Sequence, residues 1–337
     1  MHDDYPTRLS DEGFLLTSQT AAAHRQTEAN ERPDEPPKNR RINRIAIGLA
    51  VVTVFSTFWA GVGAWAPNVP FALAAQELSF MPVRQALLAN WWGGLQFSLG
   101  LMAILVAHEF GHYIFTLIYR VPSTPPLFIP FPFYSPIGTM GAVIMMQSGT
   151  ANRRQIFDIG LAGPLAGLVV AVPVIIAGIL QNASISYAPE EVLVMGQPLM
   201  IQWLAQIIVP DQASQFVELS NTEVSPLLMA GWVGLLVTGM NMMPLGQLDG
   251  GHVTFGLLGQ KSYYIAVAAL LGSIGYMVYS GVIIFALMLI LVLVMGLRHP
   301  PSSDDSKELG IVRQIIGWIS LVLPILCIPA NPIQTLG

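Results

Sequence analysis

Residues 99–120, LGLMAILVAHEFGHYIFTLIYR, set His108, Glu109 and His112 inside an apolar run long enough to cross a bilayer. An ionisable group at membrane depth is unfavourable by roughly 2.5–3.5 kcal/mol on insertion scales, so three together need a partner such as a metal or a water-filled site. In a helix the i, i+4 spacing brings His108 and His112 onto one face, where both imidazoles can hold one Zn²⁺ while Glu109 reaches the metal's water. Zinc suits hydrolysis because it lowers the pKa of its water to about 7 and polarises the scissile carbonyl. The bland reading is a pair of buried histidines bonded to polar neighbours. Lipid disfavours it, since no water is at hand to complete those bonds.

Composition agrees with a membrane setting. Of 337 residues, 53% are hydrophobic and only 10% charged, which is too apolar for a soluble domain and points to an all-α polytopic membrane protein. The net charge of −5 is modest and offers nucleic acid no basic surface. The single cysteine, Cys327, excludes an internal disulfide.

Residues 1–44 are polar, charged and Pro-containing, and read as a disordered cytoplasmic tail ending in Lys38, Arg40, Arg41 and Arg44. Residues 45–66 carry no charge and form the first span, and 67–90 an extracytoplasmic loop with some amphipathic helix. Trp91 and Trp92 mark the interface at which the second span begins. Residues 121–150 are rich in proline and without charge, so the segment reads as re-entrant, with a hairpin over 128–146 bending near Gly138 and Gly141 beside the metal. A Pro-rich linker on the membrane surface is the alternative.

The third span, 156–180, opens with Asp158 and a run of small residues, Gly160, Ala162, Gly163, Ala166 and Gly167, that lets the HEFGH helix approach closely. Asp158 reads as a helix cap rather than a ligand. The acidic stretch 181–225, with a surface-lying helix within 192–209, belongs outside. The fourth span, 226–245, runs into NMMPLGQLDGGH (241–252), where Asp249 sits in a Gly- and Pro-rich turn and can supply the third ligand. A turn former or cap is the dull alternative for Asp249, and His252 is left unassigned. Residues 263–297 read as two short spans and 311–330 as the last. On this count of about seven spans, Arg84 is the one Lys or Arg of fifteen that is not cytoplasmic.

HEFGH at 108–112, Asn-Arg-Arg with DIGLAGPLAG at 152–167, and NMMPLGQLDGG at 241–251 together resemble the site-2 protease family of intramembrane zinc metalloproteases, most closely its cyanobacterial and plastid branch. The resemblance implies His108, His112 and Asp249 as ligands of one Zn²⁺ and Glu109 as general base. It also implies Asn241 as a holder of substrate or oxyanion, within a three-helix catalytic core formed by the second to fourth spans. The protease domain reads as 45–337, with the core at about 91–252 and C-terminal helices at 263–330; many bacterial members of that family carry a PDZ domain, for which this sequence shows no segment long and polar enough. The implied substrates are transmembrane segments of other proteins in the lipid bilayer, cut after an upstream site-1-type protease. The acidic tail, unlike a transit peptide, points to a bacterial inner membrane rather than an organelle, and its basic end to a cytoplasmic N-terminus. A zinc transporter or sensor is the competing expectation. It needs an exit path, for which no further intramembrane His, Asp or Glu is found.

Overall fold

A computed structural model describes residues 40–147, 149–182, 194–220, 224–281 and 286–330. The expected tail up to residue 39, and Glu190, Glu191 and Glu223 of the acidic stretch, lie outside the described residues. The compact unit considered below is Arg44–Gly337.

Helix α1 (Arg40–Val62) starts before the expected boundary at residue 45, because Arg is a good helix former and an apolar segment propagates its helix into such flanks. Its inner face carries Thr53, Thr57 and Ala60, all buried. It crosses α3 (Met81–Ile118) where Gly61 meets Gly94; a Cβ on Gly61 would lie 2.8 Å from the Gly94 Cα. Near that crossing Thr57 Oγ1 and Ser98 Oγ share a hydrogen bond of 2.8 Å, and the Ser98 hydroxyl lies 3.0 Å from the Val54 carbonyl.

The expected loop at 67–90 is mostly helical: α2 (Val69–Glu77) precedes α3, whose first ten residues come before Trp91. Pro82 in the first turn of α3 favours that early start, since its fixed φ suits a helix and its missing N–H costs nothing there. At 38 residues, α3 is about 57 Å long at 1.5 Å per residue, so it extends well beyond a hydrocarbon core of about 30 Å.

The fold is mainly rather than wholly α, because two short antiparallel sheets interrupt the helices. Strands β1 (Leu127–Pro130) and β2 (Thr139–Val143) pair Leu127 with Val143 and Phe128 with Ala142, which realises the hairpin read at 128–146. Prolines 125, 126, 130, 132 and 136 exclude a helix there, and Gly138 takes the left-handed φ of +75° that the bend requires. The bend packs on α1: Ser56 Oγ donates to the Gly138 carbonyl at 2.5 Å, and a Cβ on Gly138 would strike the Ser56 carbonyl.

Helix α4 (Arg153–Asn182) is capped reciprocally, Gln155 N–H donating to Asn152 Oδ1 at 3.0 Å and Asn152 N–H to Gln155 Oε1 at 2.9 Å. That cap displaces Asp158 from the role expected of it. Asp158 lies one turn further in, where its carboxylate takes a fork from Arg313 at 2.7 and 2.9 Å and a bond from the Tyr119 hydroxyl. Asp158→Ala is therefore expected to lower stability by about 1 kcal/mol, discounted for the partly exposed Arg313, and to leave zinc content unchanged. Thermal unfolding in detergent with metal analysis checks this.

Beyond α4, β3 (Val194–Gly196) pairs with β4 (Glu218–Ser220). Between them α5 (Leu199–Ile208) buries Ile201 and Ala205 and exposes Trp203 and Ile207, as a surface-lying helix would. Helix α6 (Pro226–Asn241) is capped by Ser225 Oγ, which accepts from Leu228 N–H. Its end at Asn241 falls short of the expected 245, because residues 242–248 turn the chain before α7 (Asp249–Leu258). The main core cluster joins Phe97, Leu101 and Ile104 of α3, Ile175 and Ile179 of α4, and Leu228 and Leu235 of α6.

A 3₁₀ turn (Gly259–Lys261) leads into α8 (Ser262–Ser280), which Gly281 ends at φ +70°. Helix α9 (Ala286–Met295) follows, so the apolar stretch at 263–297 is divided into two helices. The last apolar segment is also divided, into α10 (Ile311–Ser320) and α11 (Leu323–Cys327), with Pro324 opening the second piece. Among the described residues four helices are long and apolar enough to cross a membrane: Arg41–Val62, Met81–Ile118, Arg153–Asn182 and the composite Asp249–Ser280.

Candidate active site

Four helices, α3, α4, α6 and α7, position the chemistry. On α3, His108, Glu109 and His112 are all buried, and the two histidines face α4. The approach is close because α4 presents glycines: a Cβ on Gly163 would fall 2.0 Å from His112 Nε2, and one on Gly167 would lie 3.1 Å from His108 Nδ1. On the α3 side Gly111 faces the Ala162 carbonyl with no space for a side chain. The small-residue run does what its composition predicts.

Asp249, the first residue of α7, brings its carboxylate to both imidazoles. Its Oδ2 lies 3.1 Å from His108 Nε2 and its Oδ1 3.3 Å from His112 Nε2. Gly250 and Gly251 permit this placement, since a Cβ on either would collide with carbonyls of the 242–248 turn at 2.1–2.3 Å. His112 Nδ1 donates to the Ile159 carbonyl at 2.7 Å, which fixes the tautomer and turns Nε2 inward. His108 Nδ1 is buried with no partner among the described residues. Asn241, at the end of α6, holds its amide nitrogen 3.5 Å from His108 Nε2.

One donor atom from each of His108, His112 and Asp249 lies within 4.8 Å of the other two. The set fits Zn²⁺. Bonds of about 2.0–2.1 Å in a tetrahedron separate ligand atoms by about 3.3 Å, close to the 3.1 and 3.3 Å between the carboxylate oxygens and the two Nε2 atoms. Two imidazoles and a carboxylate also leave one position of four open, as catalytic zinc requires. Beside the donors lies a cavity of about 550 Å³, lined by Glu109, His112, Asn241 and Asp249 and walled by Met140, Ala142 and Met145 at and just beyond β2.

The model of peptidase family M50 matches residues 96–282, over half of the sequence and all of this site. The chain belongs to peptidase family M50. Within that family it is similar to the probable chloroplastic zinc metalloprotease EGY1 of Oryza sativa subsp. japonica, 26% identical over 84% of this chain and 49% of the relative. EGY1 of Arabidopsis thaliana is 27% identical over 69% of this chain and 42% of its own length. The chloroplastic EGY2 of the same plant is 26% identical over 70% and 42%. This M50 chain thus spans about half the length of the curated relatives it matches or less. No solved structure matches it.

The structure brings together all five residues singled out in the M50 sequence, His108, Glu109, His112, Asn241 and Asp249. It adds two that sequence reading missed. The Ile159 carbonyl leaves no trace in a side-chain pattern. His299 lies in a polar link after α9, yet its Nε2 is 2.7 Å from His252 Nδ1 and its ring stacks on Phe255.

Proposed function

We propose that this chain is an intramembrane zinc metalloprotease that hydrolyses peptide bonds within or near transmembrane segments of membrane-protein substrates, as in regulated intramembrane proteolysis. One observation carries the reading: two imidazoles of α3 and a carboxylate from the start of α7 converge beside a cavity that a buried glutamate also lines. His108, His112 and Asp249 hold one Zn²⁺ per chain, and Glu109 and Asn241 act on the substrate. When bound, the ion supplies Lewis acidity toward water and the scissile carbonyl. Glu109 takes the proton from the attacking water and returns it to the departing amine. Asn241 directs its amide nitrogen at the carbonyl oxygen as negative charge gathers there.

The substrate helix must unwind locally, because a helical amide is shielded by its own hydrogen bonds. The charge-free hairpin β1–β2 reads as the re-entrant segment at membrane depth, where protein satisfies its backbone. In the full topology about seven apolar segments cross the bilayer around the α3–α4–α6 core. The protease domain starts with α1 at Arg40 and runs to residue 337, and the residues before it are a cytoplasmic tail. The positive-inside pattern of Lys261, Arg298 and the cluster Lys38, Arg40, Arg41 and Arg44 at the start of α1 favours a cytoplasmic N-terminus, in a membrane that we read as a bacterial inner membrane. An upstream site-1-type protease makes the first cut.

The test uses purified protein in liposomes with a single-span substrate. Cleavage is expected to stop on chelation with 1,10-phenanthroline and to return with one equivalent of Zn²⁺. Zinc crossing the vesicle membrane with no cleavage at any zinc level would replace this reading with that of a transporter.

A further inference from the structure

His252 stands one turn after Asp249 on α7, and its ring lines the same cavity. Gly160 of α4 fixes its place, since a Cβ there would sit 2.6 Å from the His252 Cβ. Across from it His299 is held from three sides. Its ring stacks on Phe255 at 4.0 Å and 7°, and its Nδ1 lies 2.6 Å from the Pro300 carbonyl. The strap that follows it is tied down by Gly149 N–H to Pro301 O at 3.1 Å and Ser303 N–H to Ala151 O at 2.9 Å.

These contacts dictate proton positions. A carbonyl can only accept, so His299 Nδ1 carries the hydrogen. Burial holds the His299 imidazole below its usual range and hence neutral, which leaves Nε2 as an acceptor. Its partner at 2.7 Å, His252 Nδ1, must then donate. A neutral His252 keeps its lone pair on Nε2, which makes no hydrogen bond to a described residue. An extended peptide in an apolar cavity carries backbone N–H groups that no water satisfies, and a fixed nitrogen acceptor is their complement.

We infer that His252 is a further substrate-contacting residue, its Nε2 accepting a hydrogen bond from a backbone N–H of the bound peptide, and that His299 is the positioning residue that fixes its tautomer. The inference rests on the protease reading for the identity of the peptide, and binding can be measured without turnover.

The experiment uses full-length protein carrying Glu109→Gln in detergent micelles, a fluorophore-labelled apolar decapeptide followed by anisotropy, and ¹⁵N-histidine NMR. His299→Phe keeps a ring to stack on Phe255 but has no acceptor; His299→Gln offers Oε1 where Nε2 stood. His252→Asn keeps a donor toward His299 and lacks the far nitrogen. His299→Phe and His252→Asn are expected to weaken peptide binding about tenfold, and His299→Gln to restore it to within about twofold. The NMR spectrum should show His252 protonated at Nδ1, and at Nε2 once His299 is Phe. Equal affinity in His299→Phe and His299→Gln, or an Nε2-protonated His252 in the parent, overturns the inference, and that pair decides even if His252→Asn does not fold. Absence of cleavage by the wild-type enzyme with the affinity pattern intact would remove the protease reading and leave the peptide contact standing.

Discussion

Glu109→Gln is expected to retain one zinc per chain and to lose about 10²–10⁴-fold in turnover, the range over which a positioned acid–base contributes. Glutamine has nearly the same volume, so the buried environment of position 109 and the packing of α3 are preserved while the proton acceptor is removed. Glu109 is not among the three residues whose donor atoms converge, so its loss should leave metal binding intact. The measurement pairs metal analysis of the purified variant with cleavage of a single-span substrate in liposomes. Turnover within threefold of wild type at full zinc loading would reject the proposed role. Zinc loss would instead make Glu109 part of the metal's support.

Gly163→Ala should do the reverse and abolish metal binding without replacing a ligand. The added methyl carbon would sit 2.0 Å from His112 Nε2 and 2.4 Å from two ring carbons. His112 cannot swing clear without breaking its 2.7 Å bond to the Ile159 carbonyl. Loss of an orienting partner alone costs about 10–100-fold in metal affinity, and displacement of the ligand nitrogen itself should exceed that. Gly167→Ala, at 3.1 Å from His108 Nδ1, should give a milder loss. Gly272→Ala on α8 meets nothing within 4 Å and should be neutral or stabilising by up to about 1 kcal/mol. Zinc stoichiometry and size-exclusion profiles of the three variants settle the order. A fully zinc-loaded Gly163→Ala would show that α4 does not press on the HEFGH helix as described.

What was legible beforehand followed from local chemistry. The HEFGH spacing, the glycines of α4 and the prolines and Gly138 of the hairpin each constrain their own neighbourhood, and the structure places each as its residue type requires. Features that depend on distant partners were not legible. Asp158 looked like a cap because its partner Arg313 lies 155 residues away, and the true cap, Asn152 with Gln155, stood just upstream. His299 had no periodic context, and its bond to His252 spans 47 residues. Helix ends moved for similar reasons. The start of α3 was hidden because the charged residue Arg84 and the polar residues near it resemble a loop in hydropathy while being good helix formers.

The contact between His108 and Asp249 joins residues 141 apart in the chain, across the β1–β2 hairpin and three complete helices, α4, α5 and α6. During synthesis the HEFGH helix therefore leaves the ribosome long before its third donor exists, and two imidazoles alone hold a divalent ion weakly. On the proposed protease reading, a half-made copy inserted among other membrane proteins would be chemically silent. Destructive capacity would switch on only once the final donor arrives, so order of translation by itself would protect neighbouring polypeptides from premature attack.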